Sequence, residues 1–101
     1  MADFIYLMHE AEPADPAAWE AYVGELSAKG VLRGGSAIGR GMCLRKGGAP
    51  PPISSHIVGY VRIEVEDMAA AQALLAGNPV YEAGGVIELR ELPRAIGPAQ
   101  D

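Results

Sequence analysis

The sequence predicts an α+β domain with a ferredoxin-like βαββαβ order, in which a four-stranded antiparallel sheet carries two helices on one face. Two aspartates that can cap free backbone amides mark two helix starts, and strand-like segments lie between and around them. Apolar and polar residues alternate most clearly over 57–65, the pattern of a half-buried strand. Two helices cover only one face of such a sheet, so the other face has to meet water, a loop or a second subunit.

The first half of the chain gives a strand, a helix and a weaker strand. The apolar run Phe4–Met8 is too short for a helix and predicts the first strand. Asp15 and Pro16 begin the first helix, predicted over 16–29, because aspartate caps amides and proline suits the first helical position. A second strand is predicted over 31–38. The apolar stripe of the helix, which we expect to lie in the core, comprises Trp19, Tyr22, Val23 and Leu26.

The segment 39–55 is predicted to be the long loop of the domain. Its glycines and the run Pro50-Pro51-Pro52 exclude regular helix and central strand, although a short strand over 42–45 fits between them. Glycines lower the cost of rearrangement, and prolines prevent pairing into a sheet. We therefore expect this loop to be the most mobile ordered part of the domain and to border any pocket.

The second half repeats the strand and helix pattern. After the strand over 57–65, Asp67 is expected to cap a second helix, which ends at Gly77 and Pro79. The apolar side of this helix comprises Met68, Ala71, Leu74 and Leu75. A turn-rich segment over 78–85 precedes a last strand over 86–92. The domain is thus predicted to span residues 1–92, with a flexible tail over 93–101.

Composition narrows the class of protein. A chain of 101 residues with 50% apolar and 21% charged residues is typical of one globular domain. The net charge of −5 disfavours nucleic acid as a partner. No apolar stretch approaches the roughly 20 residues of a membrane span, and no basic leader precedes the first strand, so we expect a cytoplasmic protein without a membrane partner. One cysteine, Cys43, excludes an internal disulfide, and no His and acid are arranged beside it to activate a nucleophile.

Several segments resemble the YCII-related proteins. The segment 78–85, Asn-Pro-Val-Tyr-Glu-Ala-Gly-Gly, followed by Val-Ile-Glu-Leu-Arg, is similar to the closing segment of that family. The opening strand, the junction 26–32 with the following Gly34-Gly35, and the strand opening at Gly59-Tyr60 also have counterparts, over about residues 3–92. The resemblance implies a dimeric α+β barrel, a homodimer whose two sheets face each other and enclose a pocket.

The chain departs from the family pattern at two places. Members for which catalysis has been proposed carry an Asp near the end of the first strand and a His within the first helix, where this chain has His9 and Trp19. The branch named for an Asp-Gly-Pro-Phe motif carries it where this chain has Pro52-Ile-Ser-Ser-His56. The resemblance therefore implies the fold, and the family's catalytic pair does not carry over.

His9 is the candidate catalytic residue. It stands where the first strand ends, and a histidine there can take or give a proton near neutral pH; the alternative is a surface histidine. His56, just before the third strand, is a candidate for ligand binding or a simple loop residue. Two histidines without a carboxylate at fixed spacing do not predict a metal site, which usually needs three or four protein ligands. The sequence thus predicts neither a metal nor another cofactor.

Polar residues of the second and third strands are candidates for ligand binding. Arg33, the two glycines after it and Ser36 suit an anionic oxygen, and the alternative is a glycine bulge. Tyr60 and Arg62 lie on the face that the helices leave open, where they would line a pocket between subunits or form an interfacial salt-bridge network. We expect His9 to lie within hydrogen-bond reach of Ser36, Tyr60 or Arg62.

Two functions remain open from the sequence. The first is a lyase- or isomerase-type enzyme, with His9 as general acid or base and the polar strand residues orienting a small polar or anionic molecule. The second is a non-catalytic module that binds a metabolite or supports a partner protein, which the loss of the family's helix histidine favours. The position of His9, in an enclosed pocket or in bulk water, distinguishes them.

Overall fold

A computed structural model describes residues 1–94 and places four strands in one antiparallel sheet. The strands are β1 (Ala2–His9), β2 (Leu32–Ala37), β3 (Ile57–Val65) and β4 (Ile87–Leu92), and the helices are α1 (Pro16–Ala28), α2 (Met68–Ala73) and α3 (Pro79–Glu82). The strand order is β2-β3-β1-β4, and each neighbouring pair is antiparallel. The predicted ferredoxin-like order is confirmed, with α3 as an additional short helix.

Side-chain caps fix where the two predicted helices begin. The carboxylate of Asp15 accepts a hydrogen bond from the amide of Ala17 at 3.0 Å, and that of Asp67 accepts one from the amide of Ala70 at 2.9 Å. Each bond satisfies an amide that has no partner within its own helix, so both helix starts were readable from single residues.

The segment 78–85 contains a helix that the sequence reading treated as turn. The Asn78 side chain accepts from the amides of Val80 and Tyr81 at 3.0 and 3.1 Å, and Pro79 occupies the first helical position. Asn-Pro is a helix start signal of the same kind as Asp15-Pro16, but only four residues follow before the chain turns at Gly84.

The hydrophobic core lies between the sheet and the helices. β1 and β3 send alternate side chains to this side, and α1 and α2 pack on them. The buried members are Phe4, Tyr6, Met8, Tyr22, Leu26, Val61, Ile63, Val65, Ala71, Leu75 and Val80. Trp19 is partly buried and packs against this core, as predicted. Val23 and Met68, which the apolar stripes of the two helices included, are instead 36% and 45% exposed. Val23 borders a cleft, and Met68 lies in the exposed first turn of α2.

The other side of the sheet, here called the open face, is covered by none of the helices within residues 1–94. Alternation along the strands places on it Ile5, Leu7, Val58, Tyr60, Arg62, Glu64, Glu88 and Arg90. Ile5, Leu7 and Tyr60 are half-buried and Val58 is exposed. The face therefore combines an apolar centre with charged ends. Within the described range, the helices lack the length and apolar character that a membrane span requires.

An ion-pair network occupies one end of the open face. The Arg94 side chain donates to Asp3 at 2.8 Å and to Glu64 at 2.6 Å, and Arg33 donates to Glu64 at 3.0 Å. The hydrogen bond from Arg94 is the main cause that holds the pKa of Glu64 below its usual value. The predicted tail begins at Pro93, and residues 95–101 of it lie outside the described range.

The loop between β2 and β3 has no regular secondary structure, so the predicted short strand over 42–45 is wrong. No neighbouring strand pairs with it in the described part of the chain, and an unpaired segment does not form a strand. Met42, Leu44 and Ile53 are 74%, 83% and 47% exposed.

Hydrogen exchange should be faster over 39–55 than anywhere else in residues 1–94 outside the termini. The amides of this loop lack the ladder bonds that protect β3, and few buried contacts hold it. Peptide-resolved hydrogen–deuterium exchange of the full chain measures this. Protection equal to that of Ile57–Val65 would contradict the expectation.

Candidate functional site

Three side chains converge where β1 ends. The amide of His9 donates to the carbonyl of Val86 at 3.0 Å, and the amide of Glu10 donates to the carbonyl of His56 at 2.8 Å. These bonds hold the last residues of β1 between the start of β3 and the start of β4, and the register shifts between Met8 and His9. The chain is therefore fixed at this point by both neighbouring strands.

His9 and Glu88 form a hydrogen-bonded pair. The distance from His9 Nε2 to Glu88 Oε2 is 2.7 Å, and the two side chains are 25% and 36% exposed. The bond with His9 is the main cause that holds the pKa of the Glu88 carboxyl below its usual value, so the group is ionised at neutral pH. A carboxylate only accepts, and therefore Nε2 carries the proton. This leaves Nδ1 as the ring atom that can exchange a proton with another molecule.

The hydrogen-bond partner expected for His9 was wrong. We expected Ser36, Tyr60 or Arg62, on the second and third strands, and the structure supplies Glu88 from β4. β4 pairs directly with β1, and Glu88 lies opposite Leu7, two residues before His9 on the same face. The sequence could have predicted this partner, because the ferredoxin-like fold places β4 beside β1 and the alternation along β4 places Glu88 on the same face as His9.

His56 completes the cluster. Its ring meets that of His9 edge-on, with the centroids 5.0 Å apart. One nitrogen of each imidazole and one carboxylate oxygen of Glu88 all lie within 4.8 Å of one another. The structure thus brings the two histidines of the sequence together, as their positions at two strand ends permitted, and adds a carboxylate.

A cleft of about 680 Å³ adjoins His9. It is bordered by residues of β1, β2 and β3, of α1 and the loop before it, and of α3, and includes Val58 and Tyr60 from the open face. Its lining is mainly apolar and comprises Met8, His9, Ala11, Glu12, Pro13, Ala14, Trp19, Val23, Leu32, Gly34, Gly35, Ser36, Ala37, Val58, Gly59, Tyr60, Val61 and Val80. The loop 39–55, which we expected to border any pocket, contributes no residue to this cleft.

The predicted polar residues divide into two groups. Ser36 and Tyr60 line the cleft with His9. Arg33 and Arg62 do not: Arg33 is engaged by Glu64 and by the carbonyls of residues 30 and 32, and Arg62 is exposed further along the sheet. The structure does not favour an anion at Arg33. Cys43 is half-buried in the loop, away from the cleft lining.

The two glycines of β2 have a structural role. The register of β2 against β3 shifts between Leu32 and Gly34, which is the glycine bulge considered above. A Cβ atom on Gly35 would lie 2.8 Å from the Tyr60 carbonyl oxygen. Gly35 therefore allows the close approach of β2 to β3 that forms this wall of the cleft.

The fold is similar to that of a solved enzyme structure. The chain matches 5-chloro-2-hydroxyhydroquinone dehydrochlorinase (TftG) from Burkholderia phenoliruptrix AC1100, solved in complex with 2,5-dihydroxybenzoquinone, with a TM-score of 0.59 and 16% sequence identity. The match covers 94% of this chain and 96% of that one. No protein-family model matches the chain, and no curated protein matches it in sequence. At this identity the likeness shows a shared α+β fold.

Proposed function

We propose that this protein is a small-molecule enzyme of the lyase or isomerase kind, in which His9 transfers a proton and Glu88 assists it. The observation that carries the proposal is the 2.7 Å contact between His9 Nε2 and Glu88 Oε2 beside the cleft. A base held and oriented by a carboxylate is a recurring arrangement for proton transfer. The alternative, a simple surface histidine, explains neither the bonded carboxylate nor the adjoining cleft.

The chain's own groups suffice for such a step. His9 Nδ1 takes a proton from a bound molecule, and the electron pair of the broken bond forms a new double bond within it. In an elimination, the bond to the leaving group breaks as this double bond forms, and the group departs with that electron pair. In an isomerisation, the electrons of an existing double bond shift to the next atom along, which takes the proton back from the His9 imidazolium. Glu88 stabilises the imidazolium that forms, because opposite charges attract strongly at this distance. Tyr60 and Ser36 can orient polar groups of the molecule from the cleft wall.

The structural neighbour supports this reaction class. A dehydrochlorinase removes hydrogen and chlorine from its substrate, which is an elimination of the kind described above, and the neighbour was solved with a small ring compound. Such a compound suits a mainly apolar cleft with a few polar groups. We therefore propose a small hydroxylated ring compound as the ligand class.

We further propose that the protein belongs with the YCII-related proteins and forms a homodimer through its open face. The motifs of the sequence and the shared α+β fold support the first statement, and the apolar centre of the uncovered face supports the second.

The alternative function is a non-catalytic binding module. Trp19, which borders the cleft where the resemblance expects a histidine, favours that alternative.

Substituting Val23→Arg should abolish ligand binding in the cleft. Val23 lies on the cleft wall and is 36% exposed, so a long side chain there fills the cleft without entering the core. A panel of hydroxylated and chlorinated ring compounds, screened by thermal stabilisation and then for turnover, identifies the ligand. Ala21→Arg places the same side chain at an exposed position of α1 outside the cleft and serves as the matched control.

Stabilisation of the wild type and of Ala21→Arg, lost in Val23→Arg, is the expected result. Ligands that stabilise all three proteins equally would place binding elsewhere. Binding in the cleft without any turnover would support the non-catalytic alternative.

A further inference from the structure

We infer that His9, His56 and Glu88 form a binding site for a zinc ion. The sequence alone offered two histidines without a third ligand, and the fold supplies the carboxylate. The three side chains come from the end of β1, the residue before β3 and the second residue of β4. These strands are direct neighbours, so the three donors share one end of one sheet.

The distances between the donor atoms fit a tetrahedral ion. Zinc binds imidazole nitrogen and carboxylate oxygen at about 2.0–2.2 Å, which places neighbouring donors about 3.3–3.5 Å apart. In the structure His9 Nε2 lies 2.7 Å from Glu88 Oε2, and one ligand atom of each of the three side chains lies within 4.8 Å of the other two. Small rotations of the side chains therefore bring the set to zinc geometry.

The chemistry of the donors selects the metal. Two imidazoles and one carboxylate suit zinc and similar transition metals, whereas magnesium and calcium prefer oxygen donors throughout. Three protein ligands leave a fourth position for water or a bound molecule, as in zinc sites that are open to solvent. The exposed position of His56 gives the ion a route of entry.

The backbone prepares the site. The amide of His9 is bound to the Val86 carbonyl, and the His56 carbonyl accepts from the amide of Glu10. The ligand-bearing positions of β1 and β3, and the residue that leads into β4, are thus tied together before any ion arrives. A site whose parts are already ordered costs less conformational entropy on binding.

Zinc and the proposed proton transfer both use His9. An imidazole bound to zinc is held as a ligand and does not serve as a free base, so zinc should inhibit the reaction proposed above. This consequence rests on that function, whereas zinc binding itself does not. Binding is measured without substrate, so each proposal can fail independently of the other.

The test is isothermal titration calorimetry of the untagged 101-residue protein with ZnCl₂, compared with MgCl₂. We expect one zinc ion per chain and no comparable magnesium binding. Loss of a group that merely supports a metal ligand typically costs about 10–100-fold in affinity. We therefore expect His56→Ala and Glu88→Gln each to weaken zinc binding at least about tenfold.

Two control variants separate this site from others. Glu91→Gln makes the same change as Glu88→Gln three residues along β4, outside the cluster, and Cys43→Ser removes the thiol that could bind zinc by itself. Both should bind zinc as the wild type does. Absence of zinc binding by the wild type, equal binding by His56→Ala and Glu88→Gln, or loss of binding in Cys43→Ser would each overturn the assignment.

Imidazole NMR resonances of the wild type give an independent readout that needs no variant to fold. The chain has two histidines, so zinc should shift the ring signals of both at one equivalent. Unchanged signals from either ring would overturn the site.

Discussion

Replacing His9 with glutamine should lower turnover of the substrate by at least about 100-fold, because a positioned acid or base contributes about 10²–10⁴-fold to a reaction rate. Glutamine keeps the polarity and the approximate size of the side chain and removes its ability to exchange a proton. His9 is 25% exposed, so the substitution opens no buried cavity. Steady-state kinetics of the variant, with its melting temperature measured alongside, give the result.

Two further variants test whether the loss of turnover is specific to the pair of His9 and Glu88. Glu88→Gln keeps a group that can bond to His9 and removes the negative charge that stabilises the imidazolium, so turnover should fall and the substrate affinity should change little. Glu91→Gln makes the same change on the same strand, outside the pair, and should leave turnover unchanged. Full activity of His9→Gln would exclude His9 as the catalytic residue and favour the non-catalytic module.

Substituting Val58→Glu should convert a dimer to a monomer. The wild type should have twice the 10.6 kDa chain mass by light scattering across a concentration series. Val58 lies on the open face beside the half-buried Leu7 and Tyr60, and a second subunit packed there would remove a new carboxylate from water without a partner. An unpaired charge in an apolar interface is strongly unfavourable.

Met68→Glu is the matched control for the dimer. Met68 is an apolar side chain of comparable exposure, 45% against 36% for Val58, and lies on α2, on the opposite side of the sheet. The control should remain dimeric. A wild type that is monomeric at every micromolar concentration, or two variants that dissociate equally, would show that the open face does not form the interface.

The sequence by itself determined the elements whose signals are local. Asp15 and Asp67 begin the two predicted helices because an aspartate side chain bonds to amides only two or three residues away. The third strand was predicted at its observed bounds, Ile57–Val65, because one buried face imposes strict alternation. These signals depend on a few neighbouring residues, and together they predicted the order of strands and helices along the chain.

Two elements were predicted wrongly because local sequence signals alone do not decide them. Asn78 caps a helix of only four residues. Because glycines follow closely, the segment 78–85 was predicted to be a turn. The strand expected over 42–45 had suitable residues, but a strand also needs a partner to satisfy its amides and carbonyls, and the fold offers none within the described residues.

Only the tertiary structure decided the candidate site. His9 was identified from its place at a strand end, but its partner Glu88 lies 79 residues away and became its neighbour only because β4 pairs with β1. Arg33, chosen for its charge, bonds to Glu64 instead, because the pairing of β2 with β3 brings these two residues together. A side chain's type limits what chemistry it can do, whereas strand pairing and register decide which other groups it meets.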